Sequence, residues 1–195
     1  MRKDAKAYTD IANEIGHSLN PKTAVLELAT GTGSIALLIA ESAGKVTATD
    51  FSAGMIQQAK SKSHPDNVVF EIQDACALAY PDSSFDVVII SNALHIMPDP
   101  ETALANIKRV LRDEGVLIAP NFMHISSFQT EIRSKLLRLA GLKTYAKWNQ
   151  ETYLEFLQKN GWTVRKSKLI PASFPICYVE AQKSVHEAKH NPWPV

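Results

Sequence analysis

One apolar segment that ends in two closely spaced glycines constrains this chain more than any other feature. Residues 24–29 are apolar except for Glu27, and Thr30-Gly31-Thr32-Gly33 follows directly. A buried strand that enters a glycine-containing turn just before a helix is the local structure that usually holds a nucleotide-like ligand. The segment therefore predicts a strand, a tight turn and a helix, with a ligand site at the turn.

Strands and helices alternate along the first 121 residues. Apolar residues at helical spacing predict a first helix over residues 4–19. Strands are then expected over 24–29, 45–50, 67–72, 85–91 and 115–121, and further helices over 32–43, 52–62 and 100–112. The alternation predicts an α/β fold: a Rossmann-like, seven-stranded, mostly parallel sheet with helices on both faces.

The pattern changes after residue 121. Helices are predicted over 127–140 and 150–159, and strands over 162–170 and 175–183. A short proline-containing connection joins the two strands, so they should form a C-terminal antiparallel pair, because a parallel pair needs a long crossover. We expect a single domain over residues 1–183, followed by a C-terminal tail over 184–195.

Composition limits the classes of protein that fit. The 195 residues are 45% hydrophobic, and 21 Lys and Arg face 20 Asp and Glu, so no basic excess indicates a nucleic-acid partner. The sequence shows neither a secretory signal nor an apolar run near the roughly 20 residues that cross a bilayer. Cys76 and Cys177 lack metal-site spacing. We expect a cytoplasmic protein with reduced thiols, no metal and no membrane insertion.

Two ligands fit the glycine loop. Gly31 to Ala36 matches the pattern G-x-G-x-x-A, which alone is a weak indication of a dinucleotide site. Asp50 ends the second predicted strand, where an acid accepts hydrogen bonds from ribose hydroxyls. Both NAD and S-adenosylmethionine carry such a ribose, so these two features leave both ligands open.

Three further features favour S-adenosylmethionine. Glu27 stands at the mouth of the loop, where a carboxylate would repel a pyrophosphate but suit the ammonium of a methionyl group. A full helix precedes the first strand, whereas many NAD domains begin at that strand. Gln73-Asp74-Ala75 follows the third strand, where an acid can accept a hydrogen bond from the exocyclic amine of adenine.

With these motifs in this order, the chain resembles the class I S-adenosylmethionine-dependent methyltransferases over roughly residues 5–183. It is most similar to the small-molecule group, methyltransferase type 11, that includes the ubiquinone/menaquinone C-methyltransferase-like enzymes. Glu27 to Gly33 resembles the family's first motif, with Ala29 in place of its first glycine. The segments 50–55 and 74–75 resemble the two acidic motifs, and 111–117 resembles a structural turn before the fifth strand.

The resemblance implies methyl transfer with S-adenosylhomocysteine as the product. It implies that Asp50 contacts the ribose and that Phe51 and Met55 pack on the adenine. Asn92 lies where the fourth strand ends beside the sulfonium, and Tyr8 could close over the cofactor or simply pack in the core. The expected cofactor-binding residues are Tyr8, Glu27, Ala29, Thr30, Gly31, Gly33, Asp50, Phe51, Met55, Asp74, Ala75 and Asn92.

Methyl transfer from a sulfonium is an in-line displacement, which requires an aligned nucleophile and in some cases a base. His95 and His124 are the candidate catalytic residues, because each lies just past the C-terminal end of a predicted strand, where open α/β sheets place their ligands. A loop histidine can equally make only a backbone hydrogen bond.

The acceptor is expected to be a small or lipid-like molecule. Residues 122–149 predict a compact apolar cover over a small pocket through Phe122, Met123, Phe128, Tyr145 and Trp148, unless these side chains form a helix core instead. The acceptor atom stays open among O, N, S and C, as does the oligomeric state. An NAD(P)-dependent oxidoreductase and a non-catalytic cofactor-binding regulator remain the alternative functions.

Overall fold

Eight strands form a single sheet in the computed structural model, which describes residues 2–124 and 144–184. The strands are β1 (Ala24–Leu28), β2 (Lys45–Asp50), β3 (Val68–Ile72), β4 (Phe85–Ile90), β5 (Leu111–Ile118), β6 (Asn121–Phe122), β7 (Trp162–Ile170) and β8 (Ile176–Lys183). The helices are α1 (Arg2–Gly16), α2 (Ser34–Ile39), α3 (Ala53–Lys60), α4 (Pro100–Val110) and α5 (Gln150–Lys159), with short 3₁₀ turns at Ala40–Ser42 and Leu94–Ile96.

The strand order positions the ligand site. It runs β3-β2-β1-β4-β5-β8-β6, and β7 also pairs with β8. Strands β1 to β5 are parallel, whereas β8 is antiparallel to β5, β6 and β7. The chain order reverses direction between β1 and β4, and open α/β sheets bind their ligands at the carboxyl ends of the strands beside such a reversal. The predicted α/β architecture and its C-terminal antiparallel pair are confirmed.

The two extra residues of β6 explain why eight strands are found where seven were predicted. Asn121 and Phe122 pair with β8 just beyond Ala119 and Pro120, in line with β5. Proline has no N–H to donate to a strand ladder, so Pro120 divides one long strand into β5 and β6.

The core lies on both faces of the sheet. On one face Leu26 and Leu28 of β1 pack in a cluster with α4 and α5, and on the other Val25 packs in a cluster with α1, α2 and α3. Successive residues of a strand point to opposite faces, so a central strand covered on both sides is apolar at every position. The exception in β1 is Glu27, which is only 2% exposed.

Some predicted boundaries were wrong. The second helix begins at Ser34 rather than residue 32, because Gly31 and Gly33 adopt left-handed φ angles of 58° and 79°. Its last predicted turn is the 3₁₀ turn Ala40–Ser42. The predicted helix over 127–140, Phe128 of the predicted cover and the tail beyond residue 184 lie outside the described residues.

The glycine loop contains three left-handed residues at alternate positions. Ala29 has a φ of 54°, followed by Gly31 and Gly33. A Cβ atom on Gly33 would lie 2.7 Å from the ring of Phe70, whereas one on Gly31 would meet no atom within 4 Å. Gly33 therefore permits close packing beneath the loop, whereas Ala29 holds a conformation that a glycine would adopt with less strain.

We expect opposite stability effects from exchanging alanine and glycine in this loop. Ala29→Gly should stabilise the fold by about 1 kcal/mol, because relief of the left-handed strain exceeds the added chain entropy. Gly33→Ala should destabilise it by about 2–4 kcal/mol through strain and overpacking against Phe70. Urea unfolding at constant m-value measures both changes. Gly31→Ala is the matched control with strain alone, and a cost equal to that of Gly33→Ala would contradict the packing argument.

Candidate functional site

A cleft of about 660 Å³ opens where the parallel strands end. Its walls come from the carboxyl ends of β1 to β4 and the segments that follow them. Eight of the twelve predicted cofactor-binding residues lie on its wall: Ala29, Gly31, Asp50, Phe51, Met55, Asp74, Ala75 and Asn92. The structure thus brings together residues from four separate segments of the chain.

Asp50 connects the glycine loop to the start of α3. Its Oδ2 accepts a hydrogen bond of 2.8 Å from the backbone N–H of Gly31, and its Oδ1 accepts one of 2.9 Å from that of Ser52. A carboxylate offers about four lone-pair sites, so Asp50 retains acceptor capacity for a ligand hydroxyl.

Two large apolar side chains are exposed beside this carboxylate. Phe51 is 77% exposed and Met55 is 44% exposed, and both line the cleft. They lie at the start of α3, where the Ser52 side chain caps the helix by accepting a hydrogen bond from Met55 N–H. Apolar side chains with a few convergent polar groups are typical of a small-molecule site.

Asp74 lies just after the end of β3, the strand that pairs with β2, which ends at Asp50. The backbone N–H of Gln73 donates to the carbonyl of Asp50 at 3.2 Å, which holds the two acidic segments together. The Oδ1 of Asp74 accepts a hydrogen bond of 2.8 Å from the N–H of Cys76, and the side chain is exposed to the cleft. Its position fits an acceptor for an exocyclic amine.

Glu27 lies beneath the glycine loop and not at its mouth, so the expected position was wrong. It points to the face of the sheet opposite Leu28, and its carboxylate accepts a 2.6 Å hydrogen bond from the Thr30 hydroxyl. Burial raises the pKa of Glu27 to about 7, and the nearby charge of Asp50 contributes to the rise. The group therefore titrates near neutrality in the ligand-free protein.

Three more predicted residues do not line the cleft. Thr30 is 8% exposed and bonded to Glu27, and Gly33 packs against Phe70. Tyr8 packs against the core on the α1 face, and its hydroxyl lies 3.5 Å from Nδ2 of Asn92. Tyr8 thus reaches the cleft only through Asn92.

Asn92 follows β4 in a strained conformation, with a φ of 53°. Its backbone N–H donates to the carbonyl of Pro120 at 2.8 Å. Its side-chain Oδ1 is buried and has no hydrogen-bond partner among residues 2–124 and 144–184. Buried acceptors are usually satisfied, so this oxygen indicates a ligand donor at the cleft.

A second cavity, of about 300 Å³, adjoins the cleft at Asn92 and Ile96. It contains both candidate catalytic histidines, His95 and His124. Its other lining residues are mainly apolar and include Phe122, Met123, Trp148 and Phe174. Phe122, Met123 and Trp148 belong to the predicted cover, whereas Tyr145 does not line the cavity and is 56% exposed.

The segment from residue 144 to residue 149 lines this cavity and is held in place by backbone hydrogen bonds. The N–H groups of Tyr145 and Ala146 donate to the carbonyl of His95 at 2.9 and 3.2 Å, and that of His124 donates to the carbonyl of Trp148 at 2.7 Å. The Trp148 ring stacks on Phe156 with centroids 4.6 Å apart. These contacts hold Ala146 and Trp148 at the wall of the cavity that the two histidines also line.

His95 differs from His124 in having a buried side-chain partner. Its Nδ1 lies 3.0 Å from Oδ1 of Asn121, and its ring meets Phe122 edge-on at 5.8 Å. Burial lowers the pKa of His95, which favours the neutral ring. Neither Asn121 nor Phe174 was predicted from the sequence. A polar residue at the buried end of an apolar strand is a local signal for Asn121, whereas Phe174 arrives from the distant β7–β8 connection.

Other site types find no support within the described ranges. Cys76 and Cys177 are free thiols. Among residues 2–124 and 144–184, no group of three or more His, Cys, Asp or Glu side chains is arranged to hold a metal ion. None of the helices in these ranges has the length and apolar character of a membrane span.

Comparison with known proteins agrees with this geometry. A family model described as "Methyltransferase domain" matches residues 26–119. A demethylmenaquinone methyltransferase of Renibacterium salmoninarum is 38% identical over 60% of this chain and 50% of its own length. A ubiquinone/menaquinone biosynthesis C-methyltransferase of Bdellovibrio bacteriovorus is 34% identical over 70% of this chain and 60% of its own.

A further relative is named for methylation of an oxygen. The 27-O-demethylrifamycin SV methyltransferase of Amycolatopsis mediterranei is 35% identical over 53% of this chain and 40% of its own length. The chain thus spans between two fifths and three fifths of these relatives.

Solved structures share the fold. A SAM-dependent methyltransferase from Aquifex aeolicus superposes with a TM-score of 0.70 at 16% identity, covering 90% of this chain and 89% of that one. The 1,6-didemethyltoxoflavin-N1-methyltransferase of Burkholderia thailandensis gives 0.70 at 20% identity, covering 93% and 79%. Residues 26–119 are thus similar to a methyltransferase domain, and the chain shares its fold with solved methyltransferase structures.

Proposed function

We propose that the protein transfers a methyl group from S-adenosylmethionine to a small, largely apolar acceptor. One observation carries this proposal: the cleft beside the glycine loop and an apolar, histidine-containing cavity meet at Asn92 and Ile96. When bound, the cofactor supplies an electrophilic methyl group on a positively charged sulfur. A methyl donor in the cleft and an acceptor in the second cavity would meet at this junction.

The walls of the cleft match the parts of the cofactor in order. The free lone pairs of Asp50 suit ribose hydroxyls, and Phe51 and Met55 offer apolar surface for the adenine. Asp74, beside Ala75, offers an acceptor for the adenine amine. The amino-acid group of the cofactor would lie at the end of the cleft that Ala29 and Gly31 line. Asn92, whose Oδ1 has no hydrogen-bond partner among the described residues, also lines the cleft.

Glu27 supports the same assignment from beneath the loop. A pyrophosphate over the loop would keep this buried carboxyl protonated, whereas an ammonium would favour its ionised form. The Thr30 hydroxyl already donates to the carboxyl and fixes its orientation. Glu27 therefore contributes negative potential at the amino-acid end of the cleft.

The alternative functions are not favoured. Relatives of the chain are named as methyltransferases, which argues against an NAD(P)-dependent oxidoreductase. The second cavity beside the cleft argues against a regulator that has lost its acceptor pocket.

A hydroxylated ring compound of the quinone-precursor type is the acceptor class that we propose. The aromatic side chains Phe122, Trp148 and Phe174 provide flat apolar surface for such a ring. Two relatives, named as a demethylmenaquinone methyltransferase and a 27-O-demethylrifamycin SV methyltransferase, support the same acceptor class. A volume of about 300 Å³ lies at the small end of ligand pockets.

We also infer that the protein acts in the cytoplasm and does not use nucleic acid as its acceptor. The near balance of 21 basic and 20 acidic residues supports a small-molecule acceptor. The two free thiols support a reducing compartment.

Loss of the Asp50 carboxylate should weaken cofactor binding. Asp50→Ala removes the acceptor for ribose and the contact to Gly31, so the affinity for S-adenosylhomocysteine should fall by about 10- to 100-fold in calorimetric titration. Asp66→Asn, exposed before β3 at the other end of the sheet, is the control and should bind like the wild type. Equal affinities for wild type and Asp50→Ala would exclude the proposed ribose contact.

Glu27 should make the ligand-free protein less stable at high pH. Because its folded pKa of about 7 exceeds the ordinary glutamate pKa of 4.5, the folded state binds more protons between these values. This stability is fully present below pH 4.5 and is lost as the pH rises through 7. The loss should approach about 3 kcal/mol, since each pKa unit corresponds to about 1.4 kcal/mol.

Urea unfolding at pH 5 and pH 8 measures this effect. Glu27→Gln should remove most of the difference and should also weaken S-adenosylhomocysteine binding at pH 8. Glu41→Gln, an exposed substitution in the 3₁₀ turn after α2, is the control. The same pH dependence in wild type and Glu27→Gln would show that Glu27 does not titrate near neutrality.

The second cavity should determine acceptor affinity alone. Phe174→Ala should raise the KM for a productive acceptor by about tenfold, through loss of an aromatic contact, and leave the affinity for S-adenosylhomocysteine within twofold. A coupled homocysteine assay of quinone precursors, phenols, thiols and amines identifies the acceptor. An unchanged KM would place the acceptor elsewhere.

A further inference from the structure

The side chain of Asn121 fixes one ring nitrogen of His95. Asn121 begins β6, is 1% exposed and belongs to the strand ladder with Cys177 of β8. His95 lies in the 3₁₀ turn after β4, and its Nδ1 is 3.0 Å from Oδ1 of Asn121. The contact joins two strand ends that are 26 residues apart.

A second hydrogen bond determines which way the Asn121 amide faces. Its Nδ2 donates to the carbonyl of Phe122 at 3.1 Å. A carbonyl can only accept, so the amide nitrogen faces Phe122 and the amide oxygen faces His95. Because that oxygen also only accepts, Nδ1 of His95 must carry the proton, and Nε2 keeps its lone pair.

The surroundings of His95 favour a neutral ring. Burial lowers its pKa and outweighs the opposite effect of the hydrogen bond to Asn121, whose side chain carries no charge that would stabilise the imidazolium as a carboxylate would. The titratable side chains that line the same cavity in the described ranges are His124 and Lys147, and neither is an acid that would stabilise the imidazolium. With Nδ1 held by Asn121, Nε2 is the nitrogen left for a molecule in the cavity.

We propose that Asn121 is the positioning residue that holds His95 as a base, and that this pair selects acceptors carrying a neutral aromatic hydroxyl group. The proposal rests on the proposed methyltransferase function and narrows its acceptor to one that must lose a proton from oxygen. Neutral hydroxyls are weak nucleophiles, and a positioned base removes that limit.

The proton and electron balance is complete. The lone pair of Nε2 takes the hydroxyl proton and forms an imidazolium, while the electron pair left on oxygen forms the new bond to the methyl carbon. The donor, when bound, supplies the methyl group and keeps the electron pair of the broken carbon–sulfur bond on sulfur. The imidazolium then returns its proton to water, and Asn121 retains the Nδ1 proton in place throughout.

Nitrogen NMR of the ¹⁵N-labelled, ligand-free protein tests the positioning directly. The wild type should show His95 with the proton on Nδ1. Asn121→Asp keeps the acceptor and should keep this tautomer, with a higher His95 pKa because of the new charge. Asn121→Leu removes the acceptor and should shift the tautomer towards Nε2–H. His17→Asn, an exposed change after α1, should leave the His95 signals unchanged.

The pH profile of kcat/KM with a hydroxylated ring acceptor tests the chemistry. His95→Gln should lower kcat at least 100-fold, and Asn121→Leu at least tenfold, with S-adenosylhomocysteine binding intact in both. Asn121→Asp should restore most of the rate and move the acid limb to higher pH. A change in KM alone would indicate a merely structural role and overturn the proposal.

Ligand binding tests the methyltransferase function, and the His95 tautomer tests the role of Asn121, so the two proposals can fail separately. If the wild type fails to bind S-adenosylhomocysteine, the methyltransferase function fails, while the NMR tautomer still decides whether Asn121 positions His95. If it binds, but His95 carries its proton on Nε2, or Asn121→Leu keeps both tautomer and rate, the role of Asn121 is overturned.

Discussion

The carboxylate of Asp50 is the contact on which the site depends. It accepts one backbone hydrogen bond from the glycine loop at Gly31 and another from Ser52 at the start of α3. The loop itself contains three left-handed residues, so it does not hold its shape by regular backbone hydrogen bonding. By joining two adjacent strand ends, Asp50 shapes the cleft and remains available to a ligand.

Beneath the loop, the buried carboxyl of Glu27 imposes a second constraint, on charge. Glu27 is buried where every neighbouring position of β1 is apolar, and burial raises its pKa. The ionised carboxylate therefore destabilises the fold relative to the protonated carboxyl. A group that destabilises the empty protein near neutral pH, and that a cation would stabilise, is typical of a site kept for its ligand. The stability of the loop and the identity of the ligand are thus connected through one residue.

Much of the fold and part of the site could be predicted from the sequence, for local reasons. Strand and helix periodicity identified β1 to β4, and Asp50 could be placed because it directly ends a strand. The side chain of Glu27 was misplaced because β1 is apolar on both faces, so no alternation shows which face each residue takes. The roles of the cofactor-binding residues stay predictions, since their positions alone were observed.

Contacts between distant segments could not be predicted. Phe174 enters the second cavity from the β7–β8 connection. The His95–Asn121 pair forms only once β6, which continues the line of β5, lies beside the 3₁₀ turn after β4 in the folded protein. Such contacts depend on strand order, which single segments do not encode. The second cavity is therefore known only from the structure, whereas the cleft beside the glycine loop was already indicated by motifs.

Ligand selectivity of the wild-type protein tests the central claim, that the glycine loop and its carboxylates hold an adenosyl amino acid. Calorimetric titrations with S-adenosylhomocysteine, 5′-methylthioadenosine and NADH compare the complete ligand, one without its amino-acid end and one with a pyrophosphate. We expect S-adenosylhomocysteine to bind at least tenfold more tightly than 5′-methylthioadenosine, and we expect NADH not to saturate the site. Tighter binding of NADH than of S-adenosylhomocysteine would contradict it.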